Sequence, residues 1–263
     1  MYRIRFHGRG GQGMKTASRV LGTALHREGF TVQDAPRYGA ERRGAPVFAY
    51  VRADRAPPSP GAINERGAMP NPDLVVVADD TLVAVPAAGV LQGLDAHSVL
   101  LIDSAEPAES WRARLALAGP ILALPRPGSG SADDFKFVGA ACAGAAARLV
   151  GAVSRENLVA AVADEYAAFG PGMADRNRTI ALAAYDAMAP HEGCVKERSA
   201  PPAAKPDWID VPLDSADMAA PAIRAPLTSV QVRTGLWRSM RPVIDYDRCR
   251  RCWWVCSTFC PDN

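Results

Sequence analysis

Tyr2-Arg3-Ile4-Arg5-Phe6-His7-Gly8-Arg9-Gly10-Gly11-Gln12-Gly13-Met14 opens the chain and carries the pattern on which its fold turns. Residues 2–7 alternate, Ile4 and Phe6 on one side and Arg3 and Arg5 on the other, which predicts a short strand. From Met14, apolar or small residues recur at Ala17, Val20, Leu21, Ala24 and Leu25 until Gly29, as in a helix with one buried face and a glycine stop. Between them, Gly8-Arg9-Gly10-Gly11-Gln12-Gly13 has the G-x-G-x-x-G spacing in the strand–turn–helix context that its mechanism needs. Glycines allow a tight turn and close backbone approach, and unpaired N–H groups at a helix N-terminus receive an anion. Two readings stand at this point, an anion-binding loop or simple tight packing of strand on helix. His7, next to the loop, either orients it or packs as a structural histidine.

Working outward, Thr31–Gln33, Val47–Val51, Leu74–Ala78 and Val99–Ile102 are strand candidates, the last two short apolar runs of the kind buried on both faces. They predict a largely parallel sheet. Helical patterns follow over Val138–Val150, from Ser154 as N-cap to Phe169, and over Ala174–Met188. Asp34 lies 21 positions beyond Gly13, at the end of the second strand, where dinucleotide-binding folds put a ribose-binding acid. That keeps a free-standing NAD(P)-binding or electron-transfer module open as an alternative. The first domain is expected to span residues 1–189, followed by a tether over 190–234 whose prolines, among them Pro201, Pro202, Pro206, Pro212, Pro221 and Pro226, favour extended segments.

The composition of the 263 residues, 48% apolar and 22% charged, is that of an ordinary globular chain and excludes wholesale disorder. A net charge of +2 gives no general reason to bind nucleic acid. The N-terminus lacks the pattern of a secretory signal, and no apolar run approaches the roughly 20 residues that span a bilayer. A cytoplasmic protein, with no nucleic-acid or membrane partner, is expected. Cys142 reads as a small buried hydrophobe within an alanine-rich helix.

Pro36-Arg37-Tyr38-Gly39-Ala40-Glu41-Arg42-Arg43-Gly44-Ala45-Pro46 concentrates glycines, an aromatic ring and charge between two strands. Its arginines suit a phosphate, a carboxylate or an acidic surface; Glu41 paired with one of them in a solvated loop is the plainer reading. With the glycine loop and the strand Pro72-Asp73-Leu74-Val75-Val76-Val77, this segment resembles the gamma subunit of pyruvate and related 2-oxoacid:ferredoxin oxidoreductases. The resemblance covers about residues 1–189. It implies a Rossmann-like three-layer α/β domain that assembles with alpha and beta subunits carrying thiamine diphosphate and magnesium. It further implies that Gly8, Arg9, Gly10, Gly11, Gln12 and Gly13, with Tyr38, Glu41, Arg42 and Arg43, serve coenzyme A in preference to a nicotinamide.

Cys249-x2-Cys252-x3-Cys256-x3-Cys260-Pro261 gathers four thiols within twelve residues. Four thiolates so close can wrap an inorganic cluster, and the terminal Cys-Pro resembles the bacterial ferredoxin run that ligates 4Fe-4S centres. Zinc is the competitor, but structural zinc sites usually separate two cysteine pairs by a longer loop. The commoner ferredoxin spacing has two residues, not three, between the second and third cysteines. Trp237-Arg238-Ser239-Met240-Arg241-Pro242-Val243-Ile244-Asp245 with this cluster also resembles the start of the ferredoxin-like delta subunit of the same enzymes, making residues 235–263 the first part of such a domain. A two-cluster domain needs a second cysteine run, so truncation after Asn263 is expected. No thiamine-binding pattern or nucleophile–base pair is recognisable, so no residue of this chain is expected to be catalytic: decarboxylation belongs to partner subunits and electrons pass to ferredoxin.

Overall fold

The computed structural model describes residues 1–37, 46–55, 63, 68–124, 136–198, 245 and 247. Among them, β1 (Tyr2–Arg9), β2 (Thr31–Arg37), β3 (Pro46–Asp54), β4 (Leu74–Val77), β5 (Val99–Asp103) and β6 (Ile121–Leu124) form one sheet in the order β2-β3-β1-β4-β5-β6. The helices are α1 (Met14–Arg27), α2 (Ala108–Arg114), α3 (Val138–Val150), α4 (Arg155–Tyr166) and α5 (Pro171–Ala187). No helix among the described residues is long and apolar enough to cross a membrane.

The sheet is largely parallel, as expected, five of its six strands running one way with β3 reversed among them. β1, β4, β5 and β6 are parallel, but β3 lies antiparallel between β1 and β2. The reason is chain length: only residues 38–45 separate β2 from β3, and a parallel return needs a crossover of a dozen residues or more. β1 runs two residues further than its side-chain alternation indicates, because Gly8 pairs with Val47 and Arg9 with Pro46. β2 runs to Arg37, so Asp34 sits in mid-strand and not at its end. The seven-residue α2 and four-residue β6 are too short to register in a periodicity window of 11 residues or more. α5 starts at Pro171, earlier than expected, with Gly170 at the N-cap and proline at the first helical position, where its missing N–H costs nothing.

The two faces of the sheet are covered unequally. α1, α3, α4 and α5 lie over one face, burying Ile4 and Phe6 of β1, Val51 of β3 and Leu74 and Val76 of β4. α3 is sunk almost all round, with Cys142 fully buried as expected. It approaches α5 so closely that a Cβ on Gly144 would lie 1.9 Å from the Ala181 carbonyl oxygen. α4 begins at Ser154, whose Oγ accepts the Asn157 N–H at 3.2 Å, and Glu28 at the end of α1 accepts the Ser154 N–H at 2.7 Å.

On the opposite face, Val75, Val77, Leu100 and Ile102 pack under Leu82, Val83, Val90 and Trp111, supplied by 3-10 turns (Asp80–Ala84 and Pro86–Ala88), the segment after them and α2. Over β1 and β3 that face is polar yet buried, since Arg3, Arg5, His7 and Arg52 are each less than 5% exposed. Arg5 acts as a staple: its guanidinium donates to the carbonyls of Met69 (3.2 Å), Val90 (3.0 Å) and Gln92 (2.7 Å). Charge-assisted bonds of this kind, at about 1.5–3 kcal/mol each, offset the cost of burying the cation.

Order continues past Ala189. Gly193 and Val195 donate N–H groups to the carbonyls of Arg148 and Leu149, and Arg198 bonds the Asp73 carboxylate, Asp95 (2.7 Å) and the Pro72 carbonyl (2.8 Å). These partners stand just before β4 and β5, at the pole where the parallel strands begin. The chain divides into compact units Met1–Pro201 and Pro202–Asn263. Most of the expected tether, the ferredoxin-like segment and Cys249, Cys252, Cys256 and Cys260 lie outside the described residues.

Gly144→Ala should unfold the first unit more easily despite alanine's better helix propensity. The added methyl meets backbone, so α3 and α5 must part at an overpacking cost of about 1–3 kcal/mol. A melting temperature lowered by several degrees is expected by calorimetry, and an unchanged or raised value would contradict the contact.

Candidate functional site

Every feature of the site follows from where β1 and β4 end. α1 leaves β1 over one face of the sheet, while the 3-10 turns leave β4 over the other. The space between the two carboxyl ends is therefore a topological switch point, the crevice in which open α/β sheets bind ligands. The glycine loop forms one wall and Asp79-Asp80-Thr81, after β4, the other. Pro46 pairs with Arg9, so the 38–45 connection departs from and returns to this same pole. Tyr38, Glu41, Arg42 and Arg43 themselves lie outside the described residues.

Within the loop, Gly13 caps α1 with φ +74°, offers no side chain, and is followed by no acidic residue in the first turn. Gly11, at φ +100°, has open space where its Cβ would be. The α1 N-terminus and its dipole are thus neither capped nor neutralised by a side chain of the loop or the first turn. Arg9 and Gln12 are turned inward. Gln12, 1% exposed, accepts the Arg9 N–H on Oε1 at 2.6 Å and donates its own N–H to the Arg9 carbonyl at 3.0 Å. Arg9 Nε meets Asp79 Oδ2 at 2.9 Å, and its Nη2 donates to Thr81 Oγ1 at 2.7 Å.

A third element sets the loop from below. The Gly13 and Gln12 carbonyl oxygens lie 2.8 and 3.0 Å from the point a Cβ would occupy on Gly139, in the first turn of α3. The close fit seats the loop on the first turn of α3, while the Gly13 carbonyl accepts the Ala17 N–H at 2.8 Å along α1. Gly139, Asp79 and Thr81 were absent from the sequence-derived site. Glycines inside an otherwise helical run signal close backbone approach, and polar residues directly after a buried strand mark a crevice wall.

His7 precedes the loop on the polar face. It is 2% exposed, edge-on to Phe48 at 5.2 Å, and neither ring nitrogen reaches hydrogen-bond geometry with a partner. Burial first, and the Arg5 cation second, lower its pKa from 6.5 to about 3, with the Ala88 backbone opposing them. It is a neutral, packed ring throughout the physiological range. Asp34 is half-buried and accepts the Ser18 hydroxyl at 2.7 Å; burial raises its pKa, and Ser18 pulls it back. Held against α1 in mid-strand, it does not occupy the strand-end position of a ribose-binding acid.

With this geometry in hand, comparison with known proteins is specific. The profile described as pyruvate ferredoxin/flavodoxin oxidoreductase matches residues 3–187, ending before the cysteine cluster. The chain is 36% identical over 195 residues to pyruvate synthase subunit PorC of Methanothermobacter marburgensis, covering 73% of this chain and 100% of that one. It is 32% identical to the common gamma subunit of the pyruvate/ketoisovalerate oxidoreductases of Pyrococcus furiosus, over 71% of this chain and 96% of that one. The crystal structure of pyruvate oxidoreductase subunit PORC from Thermotoga maritima superposes with a TM-score of 0.55 at 29% identity, covering 70% of this chain and 95% of that one.

The His7 environment predicts an acid-side slope in stability. The unfolded chain takes up this proton near pH 6.5 and the folded chain only near 3. Stability therefore falls as pH drops through that window, by up to about 1.4 kcal/mol per pH unit. Urea titrations of His7→Phe between pH 4 and 6.5 should show a shallower slope than the parent; parallel slopes would mean that His7 protonates in the folded state.

Proposed function

The chain belongs to the pyruvate ferredoxin/flavodoxin oxidoreductase family, and from that premise we propose that it is the gamma-type subunit of a 2-oxoacid:ferredoxin oxidoreductase which positions coenzyme A and carries an iron–sulfur centre. The observation that carries the coenzyme A assignment is the glycine loop at the switch point, with Arg9 and Gln12 engaged internally and the α1 N-terminus bare. A phosphate of the coenzyme fits such a cradle: the backbone N–H groups of Gly11, Gly13 and Met14 donate, that of Gln12 being held by the Arg9 carbonyl, and the helix dipole stabilises the negative charge. The nicotinamide alternative loses its acid, since Asp34 is held by Ser18 away from a strand end.

In the assembled enzyme, thiamine diphosphate with magnesium on the alpha and beta subunits serves as the electron sink for decarboxylation. This chain's part is to hold the acyl acceptor so that its thiol arrives oriented. Gly139 lets α3 seat the loop closely, and Gln12 holds the Arg9 peptide. For the cluster, the donor set is four thiolates, Cys249, Cys252, Cys256 and Cys260, the soft ligands that suit iron–sulfur centres. Arg248, Arg250 and Arg251 beside them would offset the anionic charge of a reduced cluster and raise its potential. A cluster held by these four thiolates would supply one-electron transfer toward ferredoxin.

Anaerobic native purification should recover this chain with two thiamine-dependent subunits, iron and acid-labile sulfide, at about four irons per cluster. A partner-free protein holding zinc and no sulfide would refute both halves of the proposal. In the complex, Gly11→Val should raise the KM for coenzyme A about tenfold or more, the cost of one charge-assisted hydrogen bond, and leave 2-oxoacid-dependent decarboxylation without the coenzyme unaffected. Cys252→Ser should instead lower iron content and reduction of ferredoxin with the coenzyme KM unchanged.

A further inference from the structure

Arg9 is the loop's one cation, and in this structure it spans the crevice. Its Nε meets Asp79 Oδ2 at 2.9 Å, and its Nη2 donates to Thr81 Oγ1 at 2.7 Å. Thr81 in turn donates from its hydroxyl (2.5 Å) and its N–H (3.1 Å) to Asp79 Oδ1. The cluster ties the end of β1 to the first turn after β4, across the switch point. The Asp79 carboxylate is thus an anion supplied by the protein beside the loop built to receive one.

Two features make this tie exchangeable. The Arg9 side chain is 32% exposed and the Asp79 side chain 10%, so the pair stands at the solvent edge of the crevice and Arg9 can change partners without unpacking the core. Asp79 also keeps two donors of its own in Thr81, so losing Arg9 does not strand a bare charge. A partly exposed ion pair holds its partner by about fivefold at most. Charge-assisted guanidinium–phosphate bonds, often bidentate, are worth about tenfold or more. The comparison favours the phosphate.

We propose that Arg9 and Asp79 form an exchangeable clasp: Arg9 closes β1 onto the turn after β4 through Asp79 in the free subunit, and transfers to a phosphate of the acyl acceptor when that group settles on the glycine loop. This rests on the coenzyme A reading above and adds the specificity device. Asp79 is a positioning residue that competes with the ligand for Arg9. The clasp opens for an acceptor that carries a phosphate, and pantetheine, which carries none, leaves it shut.

The test uses the assembled oxidoreductase, with coenzyme A and pantetheine as acceptors, and reads KM and kcat separately alongside coenzyme A binding by calorimetry. Asp79→Asn keeps the Oδ1 acceptor for the Thr81 N–H and so preserves the cap on the 3-10 turn. It should lower the KM and Kd for coenzyme A about two- to fivefold, the strength of the pair it releases, with kcat and the pantetheine KM unchanged. Arg9→Met should raise the coenzyme A values about tenfold, and Asp79→Asn added to Arg9→Met should give no further change. An equal gain from Asp79→Asn in both backgrounds would show a simple field effect and sink the clasp, as would a weakened affinity in the single variant. If Gly11→Val also left the coenzyme A values untouched, the coenzyme reading itself would fall, and the clasp with it; a response to Gly11→Val beside additive Arg9 and Asp79 effects would remove the clasp alone.

Discussion

Backbone meeting backbone at α3 is the constraint on which the rest of the first unit depends. Gly139 lets the start of the helix touch the glycine loop, and Gly144, further along, lets it touch α5 at Ala181. Neither contact has space for a methyl group. Protein interiors are packed densely enough that such contacts transmit displacement, so α3 couples the seat of the loop to the helical layer behind it. An alanine-rich helix serves here because small side chains bring the helix axes close; larger ones would hold α3 away from both neighbours.

The β1–loop–α1 unit was legible because each part carries a local signal: alternation in the strand, glycine spacing in the turn, a stripe of apolar residues in the helix. The α3, α4 and α5 helices were legible for the same reason. The reversal of β3 was not, because alternation says nothing about which neighbour a strand finds, although the short 38–45 connection bore on it. Arg3 and Arg5 illustrate the related limit that a polar side of a strand is not necessarily a wet one. Arg5 is buried because carbonyls of Met69 and of the 89–92 turn converge on it, and those partners lie more than sixty residues away. At the site, the loop glycines could be read directly, but the inward commitment of Arg9 and Gln12 could not, since it depends on Asp79 and on the turn's own closure.

The two halves of the second face divide the labour between forces. Over β4 and β5 it is held by apolar burial, which is non-directional and tolerates repacking of similar volumes. Over β1 and β3 it is held by arginine–carbonyl bonds, which are directional and costly to leave unmade, with His7 packed edge-on against Phe48 beside them. The crevice lies at the edge of the directional half, where small displacements of the 86–92 segment are resisted by the Arg5 staple. Stiffness of that kind would favour any ligand of the crevice, because ordering done on folding need not be repeated on binding.

Arg198 fastens the last described stretch of the first unit to Asp73 and Asp95, beneath the starts of β4 and β5, whereas the glycine loop stands at the far end of β1. Eight residues of strand put about 25 Å between the two poles. In engineering terms this makes Arg198 an anchor bolt: it pins the strand-start pole of the sheet to the helical layer's trailing segment, so that pole can be braced or loosened by mutation without touching the glycine loop at the other.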